Sequence, residues 1–597
     1  MAIERASLPS ALSAIAESEV HSLAALFDAR LLRTPEATAC RWFDSTTQDW
    51  QSLSWLALDA KAQAIANALA TLHLAPGARV ALMLDNGPDW VAAEQAIYRL
   101  GLVSVGIFVS DTPGNAAHIL DNSGASAAFI RSGSLWSAIA TEKPLPDLQR
   151  VVLMDGLASD HARAQTLPQF LATTTAAARV PVAADALASL VYTSGTTGFA
   201  KGAMLSHGAL LANVFACERA FESGPDVVKL SLLPLSHSFE RVSGWYHAIL
   251  IGAETVFSRG AEHLADDLLL IRPTAMLAVP RIYERLYAAL SQAMLDGPLH
   301  QRALFHLALS GSRRRFSQRL TSKMIAAVQQ RFGGRLRLAI SGGAPLSPAI
   351  AKAFTALGVP LIQGYGLTEA GPVVSVNRAG GDPDSAGYLL DNVETRIAPD
   401  GELWVRSPSL MQGYWRDAEA SQRVLDESGW LHTGDKASRL SGEALVLTGR
   451  LKDVLVTSTG VKACPAEIES RLTADPLFEQ ALVLGESRPY LVALLVADAA
   501  QLAALQRSLD SDRQAALEAA LLQRCQASLS CLSQSHQLRR VALVPAFTLA
   551  NGLVTTTLKP RRAAISKVHA ELIESLYEGH CHTYKSDCAS NAETRER

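Results

Sequence analysis

The chain has 597 residues, of which 49% are hydrophobic and 19% are charged. Its 54 Lys and Arg residues nearly balance 57 Asp and Glu residues, giving a formal net charge of −3. This balance supplies no broad basic field, so composition argues against a nucleic-acid partner held by charge. The length predicts several domains and a large hydrophobic core.

The sequence offers no membrane-spanning or export segment. The longest apolar stretches, such as Leu491–Val496, fall well short of the ~18 residues that a spanning helix needs. Glu4, Arg5 and Glu17 interrupt any apolar export segment. The seven cysteines are odd in number and include no C-x-x-C pair, which is typical of reduced thiols. We therefore expect a cytoplasmic protein, and peripheral contact with the inner face of a membrane stays an open alternative.

Helical periodicity alternates with short β-branched runs through most of the chain, which predicts parallel α/β architecture. Leu190–Tyr192 is a predicted buried strand, and Thr193–Gly198 follows it with two glycines and four hydroxyl residues. Such a loop can wrap phosphate oxygens with N–H and hydroxyl groups, and Lys201 adds a positive charge. A glycine follows Lys201 where a Walker P-loop carries Ser or Thr, so a P-loop fold is disfavoured. From composition alone, a plain Ser/Thr/Gly turn fits about equally well.

A second unit of the same kind lies further along the chain. Arg335–Ile340 is a predicted strand, and a helix is predicted to begin at Pro348 with Ser347 as its N-cap. Val359–Gln363 is then a predicted strand that carries Gly364–Glu369 at its carboxyl end. Because open α/β sheets bind ligands at that edge, polar groups in this segment are functional candidates.

The pattern becomes β-rich from Leu445, with interspersed helices, which predicts a smaller α+β domain. The charged, glycine-led segment Gly449–Asp453 marks the expected boundary. We therefore predict a large domain at 1–451, a smaller domain at 452–578 and a disordered tail at 579–597.

Two segments resemble ligand sites but have simpler explanations. Arg313–Arg319 contains four arginines, and a solvated helix face is favoured over a phosphate or membrane site. His580–His582 and Cys588 fall in the polar tail, where disorder is favoured over a metal site.

Six segments in this order resemble the AMP-forming acyl-CoA synthetases of the acyl-adenylate-forming superfamily, and the resemblance covers nearly the whole chain. They are Tyr192–Gly202, Leu233–Arg241, Gly364–Glu369, Gly429–Asp435, Gly449–Asp453 and Asn551–Lys559. The residue patterns of the second and sixth segments are most similar to those of the long-chain fatty acid branch. The resemblance implies ATP, Mg²⁺ and CoA as ligands: a fatty acid becomes acyl-AMP, and the CoA thiol then displaces AMP. It also implies that the smaller domain is mobile.

The resemblance assigns roles residue by residue. The expected catalytic residues are Lys559, His237, Lys201, Thr368 and Glu369. The expected ATP- and AMP-binding residues are Thr193, Ser194, Gly195, Thr196, Thr197, Gly198, Gly343, Ala344, Pro345, Gly364, Tyr365, Gly366, Asp435 and Arg450. The expected Mg²⁺ ligands are Thr193 and Glu369, the expected hinge is Lys452, and the expected CoA path includes Gly460 and Lys462.

Physical chemistry is consistent with these roles. A carboxylate such as Glu369 suits Mg²⁺, which takes few protein oxygens besides substrate phosphates. By resemblance, Asp435 accepts both ribose hydroxyls, Tyr365 lies against adenine, and His237 lies between the acyl pocket and the thiol tunnel. Lys559 is expected to stabilise the adenylation transition state. Rotation about Lys452 is then expected to exchange the Lys559 and Gly460 loops between the two half-reactions.

The sequence departs from the family pattern at three places. Phe199-Ala200 replaces the usual x-Pro before Lys201, Val461-Lys462 replaces a charged residue and asparagine, and Thr556 replaces a common proline. Losing a proline changes loop entropy by ~0.4–1 kcal/mol, which should tune activity without abolishing it. Lys462 suits either a CoA phosphate contact or a solvent-facing position.

Three questions stay open at this stage. The acyl group could pass to a carrier protein instead of CoA, and a non-catalytic nucleotide-binding regulator is a second alternative. The apolar run Ala248–Ile251 suits an acyl tunnel and an ordinary buried helix equally well.

Overall fold

The computed structural model describes residues 15–157, 161–193, 200–221, 223–309, 315–378, 380–440, 443–451, 455–459, 461–508, 513–530, 532–548, 550–555 and 560–578. The chain forms two compact units: Met1–Thr433 with Ala437–Leu447, and Gly434–Lys436 with Thr448–Arg597. The boundary predicted at 451/452 stays a prediction, and the predicted tail at 579–597 lies outside the described residues, with His580, Cys581, His582 and Cys588.

The strands up to the change between the units are β1 (Thr38–Asp44), β2 (Asp49–Ser54), β3 (Arg79–Met83), β4 (Val103–Gly106), β5 (Ala125–Ile130), β6 (Arg150–Leu153), β7 (Ala164–Thr166), β8 (Leu187–Thr193), β9 (Lys201–Ser206), β10 (Val228–Ser231), β11 (Glu254–Phe257), β12 (Ala275–Ala278), β13 (Leu338–Ser341), β14 (Leu361–Gly366), β15 (Val373–Val376), β16 (Tyr388–Leu389), β17 (Glu394–Ile397), β18 (Glu402–Arg406), β19 (Leu431–Arg439) and β20 (Leu445–Arg450).

The α-helices of the first unit are Leu23–Arg33, Trp55–Ala70, Pro88–Arg99, Pro113–Ser123, Gly133–Ala140, Leu167–Ala172, His207–Phe221, His247–Ile251, Leu264–Ile271, Pro280–Leu295, Leu299–Leu309, Arg315–Arg331, Pro348–Ala356 and Ala418–Val424. A π-helix covers Glu240–Tyr246, and 3₁₀ turns cover Glu17–Glu19 and Thr368–Ala370.

Two large sheets dominate the first unit. Among the described residues, one has nine strands in the order β16-β15-β14-β13-β12-β10-β11-β1-β2, and the other has seven in the order β7-β6-β5-β3-β4-β8-β9. The strands from β14 through β12 and β10 to β1 pair in parallel, and antiparallel pairs occur at the two ends of that sheet. In the second sheet only the β8–β9 pair is antiparallel. The predicted α/β class with parallel-rich sheets is confirmed.

The main hydrophobic core joins the two sheets through helices. Helix Pro88–Arg99 is buried along almost its whole length, and its apolar side chains share one cluster with Phe129 of β5 and Ile340 of β13. Local sequence sets where such helices begin and end: Thr112 caps the amino end of helix Pro113–Ser123, and Gly124 ends it with a φ of 62°.

A third sheet has the order β17-β18-β19-β20, and residues 434–436 and 448–450 of its last two strands are assigned to the second unit. Apart from residues 434–436, the second unit is one continuous stretch of sequence, Thr448–Arg597. Its remaining strands are β21 (Leu455–Val456), β22 (Lys462–Ala463), β23 (Phe478–Leu484), β24 (Leu491–Ala497) and β25 (Leu538–Leu543). Its helices are Pro465–Leu472, Ala499–Arg507, Arg513–Ser528, Arg562–Val568 and Ala570–Ser575, with a 3₁₀ turn at Gln534–His536. Strands β23 and β24 pair antiparallel, and β24 and β25 pair in parallel.

Two local predictions need correction. The strand predicted at Val359–Gln363 instead covers Leu361–Gly366, because Gly364–Gly366 pair antiparallel with β15, a partner that the local pattern does not indicate. Ser347 occupies the predicted N-cap position of helix Pro348–Ala356, but its side chain makes no capping hydrogen bond.

Candidate functional site

Two paired antiparallel strands flank the predicted phosphate loop in sequence. Thr193, the last residue of β8, lies opposite Lys201, the first residue of β9. The predicted ligands Ser194, Gly195, Thr196, Thr197 and Gly198, and the departure at Phe199, lie outside the described residues, so their roles stay predictions. The hairpin fixes both ends of that loop at one edge of the sheet.

Glu369 lies on the 3₁₀ turn that follows β14. Its Oε1 accepts hydrogen bonds from the Tyr414 hydroxyl at 2.9 Å and from Thr193 Oγ1 at 3.4 Å. Burial raises the pKa of Tyr414, and the neighbouring Glu369 carboxylate adds to this, so the phenol remains a donor. The structure therefore brings together the two predicted Mg²⁺ ligands, which are far apart in sequence.

Lys201 contacts two side chains, Asp417 and Tyr414, and Tyr414 is also the donor to Glu369. Its Nζ lies 3.0 Å from Asp417 Oδ2 and 5.6 Å from the centre of the Tyr414 ring. The pKa of Asp417 is lowered by the backbone N–H of Ala420 and by Lys201. Sequence reasoning missed Tyr414 and Asp417.

Backbone hydrogen bonds attach the Tyr414 segment to the hairpin. Met204 N donates to Gly413 O at 2.9 Å, and Trp415 N donates to Gly202 O at 2.8 Å. Met411 N donates to Glu369 O at 2.9 Å. One short segment therefore connects the hairpin to the turn that carries the carboxylate.

The donor set fits Mg²⁺ bound together with substrate phosphates. Among the residues that the structure describes, no group of three or more His, Cys, Asp and Glu side chains could hold a metal ion. Mg²⁺ commonly takes only one or two carboxylates and completes its shell with water and phosphate oxygens. Glu369 and Thr193 would supply such a partial shell, and ATP would supply the rest.

Thr368 and the His237 segment meet beside this carboxylate. The hydroxyls of Ser238 and Thr368 share a hydrogen bond of 3.0 Å. Phe239 N donates to His237 Nδ1 at 3.2 Å, so this nitrogen accepts and the proton of a neutral ring is on Nε2. The His237 ring centre lies 6.4 Å from that of Phe108.

A buried ionic cluster anchors the same segment. Arg241 donates to Glu94 Oε1 at 3.2 Å and to Ser189 Oγ at 3.0 Å. The hydroxyls of Tyr98 and Tyr246 donate to the same Glu94 oxygen at 2.9 and 2.8 Å. Three donors therefore surround one buried carboxylate, and the cluster ties the π-helix to strand β8 and helix Pro88–Arg99. Sequence reasoning placed Arg241 in a motif but did not identify its partners.

Among the residues predicted to line the adenine site, Gly366 lies very close to the backbone of Pro372. Gly366 packs so closely on Pro372 that an added Cβ would overlap the Pro372 carbonyl oxygen. Gly343 has a φ of 81°, which favours glycine. Of the two residues that follow, Ala344 is half-buried and Pro345 is exposed. Tyr365 is 8% exposed. Whether adenine binds between these residues stays a prediction.

A cavity of about 310 Å³ opens among these residues. Its wall includes His237, Thr368, Gly343, Gly364 and Tyr365. Apolar side chains also line it, including Phe239, Leu277, Ile340, Val373 and Val376. Ala248–Ile251 lie in the buried helix His247–Ile251, and none of them is part of the described cavity wall. This favours an ordinary buried helix over an acyl tunnel for this apolar run.

The second unit holds the predicted ribose pair. Arg450 Nε donates to Asp435 Oδ1 at 2.9 Å, and Asp435 is only 5% exposed. Gly434 precedes it with a φ of 70°. The structure brings the two residues together, and their role with ribose stays a prediction.

Several predicted residues of the second unit cannot be located in the same way. The predicted hinge Lys452, the Gly460 loop glycine, Thr556 and the catalytic candidate Lys559 lie outside the described residues. Lys462 is placed in strand β22 by its backbone. For Arg313–Arg319, the backbone is described from Arg315 onward, as part of a helix.

None of the described helices is both long and apolar enough to cross a membrane.

Comparison with known proteins identifies the family. Residues 27–415 match the AMP-binding enzyme family, and residues 452–580 match the AMP-binding enzyme C-terminal domain. The peroxisomal long chain acyl-CoA synthetase 7 of Arabidopsis thaliana is 28% identical over 584 residues, covering 89% of this chain and 83% of that protein. The putative fatty-acid–CoA ligase fadD11 of Mycobacterium tuberculosis is 30% identical over 419 residues, covering 66% of this chain and 73% of its own.

Solved structures share the fold. The A-PCP didomain of carboxylic acid reductase from Segniliparus rugosus, in complex with AMP, has a TM-score of 0.79 and 24% identity, covering 98% of this chain and 87% of that one. ATP-bound MatB from Rhodopseudomonas palustris has a TM-score of 0.70 and 23% identity, covering 92% and 99%. The predicted membership of the adenylate-forming acyl-CoA synthetases is confirmed, and the predicted ligands ATP, Mg²⁺ and CoA agree with it. The chain belongs to the AMP-binding enzyme family.

Proposed function

We propose that this protein activates a fatty acid, with ATP, to acyl-AMP and pyrophosphate, and then transfers the acyl group to CoA. The relatives named long-chain acyl-CoA synthetase and fatty-acid–CoA ligase support the substrate class. In the first step a carboxylate oxygen attacks the α-phosphorus and the bond to the pyrophosphate oxygen breaks. In the second, the CoA sulfur attacks the acyl carbon and the bond to AMP breaks.

The observation that carries this proposal is the cavity whose wall includes Thr368. That residue adjoins Glu369, which accepts a hydrogen bond from Thr193 on the phosphate hairpin. Apolar side chains line much of the same cavity, as an acyl group requires. Phosphate chemistry and acyl binding therefore share one place in the first unit.

The residues would act mainly by orientation and charge. Lys201 would bind phosphate oxygens as a point charge, which requires exchanging its pairing with Asp417 for one with ATP. Mg²⁺, held by Glu369 and Thr193, would supply positive charge for the oxygens on which negative charge develops. Thr368, fixed by its hydrogen bond to Ser238, would donate to the α-phosphate.

Both steps would use the smaller domain. We propose Lys559 as the adenylation lysine, Gly460 and Lys462 as part of the CoA path, and Lys452 as the hinge between the two arrangements. A Lys452→Pro variant, which fixes the hinge φ, should slow thioester formation more than pyrophosphate release. Equal losses in both steps would contradict rotation.

Location and acceptor belong to the same proposal. We propose a cytoplasmic enzyme that takes its fatty acid from solution or from peripheral contact at the inner membrane face. Free CoA is the proposed acceptor, and an acyl carrier protein is the alternative.

The test is an assay of AMP, pyrophosphate and thioester formation with ATP, Mg²⁺ and CoA across acids from acetate through palmitate to benzoate. Thioester that peaks at long chains, and is lost in Lys559→Ala, supports the proposal. Pyrophosphate release without thioester would favour the carrier-protein ligase. ATP binding without turnover of any acid would favour the non-catalytic regulator.

A further inference from the structure

The cavity extends past both ends of a strand in the nine-stranded sheet. Arg337 directly precedes β13 and Gly342 directly follows it, and both line the cavity. Leu338 and Ile340 of the same strand line it between them. Thr368 follows β14, which pairs in parallel with β13, so Thr368 lies past the carboxyl ends of these strands. The cavity therefore leads from the reacting end, at Thr368, to the amino ends of the strands.

The wall at the amino ends is made of residues that solvent reaches. In the middle of the wall Leu277 is only 3% exposed and Ile340 only 6%. By contrast, the side chains of Asp226 and Arg337, which also line the cavity, are 65% and 58% exposed. Three more lining residues of the segment before β10 are half-buried: Ser223, Gly224 and Val227. The amino end of the cavity therefore reaches the surface of the protein.

An ion pair spans this opening. Asp226, Thr274 and Arg337 lie just before β10, β12 and β13, and β12 is the middle strand of the three. Arg337 N donates to Thr274 O at 2.8 Å, and Arg337 Nη2 lies 2.5 Å from Asp226 Oδ2. The pair thus crosses the amino end of β12. Because exposed ion pairs contribute little to stability, this one can separate at small cost.

The charge at the opening suits a carboxylate. The guanidinium of Arg337 can donate two parallel hydrogen bonds to a carboxylate, and its present partner, Asp226, is itself an exposed carboxylate that an incoming one can replace. Lys229 also lines the cavity, but it is 3% exposed and donates to the carbonyl oxygens of Ser243 and Gly244. Arg337 is therefore the cation that an acid arriving from solvent meets first.

The length of the strand sets how much of an acyl chain the cavity holds. Five residue steps separate Arg337 from Gly342, and a strand rises ~3.3 Å per residue, which gives ~16 Å. An extended alkyl chain advances ~2.5 Å for every two carbon–carbon bonds of ~1.52 Å. The cavity therefore holds about thirteen carbons, and the end of a longer chain reaches the opening.

We propose that a fatty acid enters the cavity carboxylate first, through the opening between Asp226 and Arg337, and that the end of a chain longer than about thirteen carbons stays at the surface there during the reaction. This inference rests on the proposed function and concerns the acyl part of the same site. Arg337 receives the carboxylate on entry, and Asp226 holds Arg337 across the opening when no acid is bound.

The test uses fatty acids that carry a pyrenyl group on the terminal carbon. We compare kcat/KM for thioester formation between each labelled acid and the unlabelled acid of the same length. At sixteen carbons the label lies outside the opening, so the two values should agree within ~3-fold. At six carbons the label would lie in the buried middle of the cavity, and kcat/KM should fall at least ~100-fold.

Two variants test the opening itself. Arg337→Glu places two carboxylates there and should raise KM for hexadecanoate at least ~10-fold with kcat unchanged. Gly224→Trp should narrow the opening and lower kcat/KM for hexadecanoate at least ~10-fold at unchanged Tm, because an added Cβ at Gly224 would meet only Asp226 Oδ1, at 3.4 Å. Lys352→Glu is the matched control, since Lys352 forms an equally exposed ion pair with Asp384 but does not line the cavity. It should keep the wild-type KM.

The outcomes separate this inference from the proposed function. Rejection of the label at sixteen carbons would mean that the far end of the cavity is closed, and full acceptance of the label at six carbons would mean that the chain lies elsewhere. Either result, or an unchanged KM in Arg337→Glu, or an unchanged kcat/KM in Gly224→Trp, would overturn the inference alone. No thioester and no pyrophosphate from any acid would overturn the proposed function and this inference together.

Discussion

Gly366→Ala should lower both stability and activity by disturbing the backbone packing of the candidate site, without changing any of its functional side chains. An added Cβ would overlap the Pro372 carbonyl oxygen and lie 2.9 Å from the Pro372 carbonyl carbon and 3.1 Å from Val373 Cα. Because van der Waals contact needs ~3.5 Å, strand β14 and the segment before β15 must separate by roughly 1 Å. That movement strains or breaks the 2.9 Å hydrogen bond from Leu367 N to Pro372 O.

The expected cost combines overpacking, at ~1–3 kcal/mol, with a weakened buried hydrogen bond, at ~1 kcal/mol. A total of ~3 kcal/mol in a unit of roughly 440 residues, at ~2.1 cal/mol/K per residue, lowers Tm by about 3 °C. Thr368 and Glu369 lie two and three residues after Gly366, so the same shift displaces them. A misplacement of ~1 Å costs on the order of 100-fold in rate.

The assay pairs thermal unfolding with pyrophosphate release. Gly364→Ala is the control for stability, because an added Cβ there would lie no closer than 3.5 Å to any neighbour. Its Tm should stay within ~1 °C of wild type. The reasoning is refuted if Gly366→Ala keeps wild-type stability, or if Gly364→Ala loses as much.

Three further substitutions test other contacts. Tyr414→Phe removes the donor to Glu369, a hydrogen bond to a charged group, and should lower kcat/KM ~10-fold and raise the Mg²⁺ requirement in a titration of pyrophosphate release; an unchanged Mg²⁺ profile would contradict this. Arg241→Met leaves Glu94 buried without its cation and should cost ~3–5 kcal/mol by thermal unfolding, and adding Glu94→Gln should restore part of that loss. Burial raises the pKa of Glu240 from 4.5 to about 7 in the folded state, so the folded protein binds this proton more tightly and its stability falls as pH rises from 4.5 to 7. In Glu240→Gln this fall should be smaller by ~3 kcal/mol. Identical Tm–pH profiles for the variant and the wild type would argue against it.

The sequence predicts several features of the fold and the site. Helix Pro348–Ala356 begins at the predicted residue, and Thr193 and Glu369 meet although 176 positions separate them. Each residue lies at the carboxyl end of a strand, where a ligand site is expected, but β8 belongs to the seven-stranded sheet and β14 to the nine-stranded one. Their meeting is expected from the resemblance to the family, because no local pattern joins strands of different sheets.

Other parts depend on pairings that no local pattern contains. Tyr414 reaches Glu369 because its segment pairs with β9, which neither segment indicates on its own. Lys229 interrupts an otherwise apolar strand, yet its partners Ser243 and His247 come from a later helix. Long-range contacts of this kind follow from tertiary packing, which periodicity does not encode.

The tether between the Tyr414 segment and the phosphate hairpin has a consequence for ATP affinity. Hydrogen bonds from Met204 N and Trp415 N fix that segment to β9, and Met411 N fixes it to the turn of Glu369. Lys201 and Glu369 therefore belong to one preassembled scaffold. Folding supplies the free energy that aligns these two side chains, so nucleotide binding does not have to order them. The free energy of their contacts with the nucleotide is then available to stabilise the transition state.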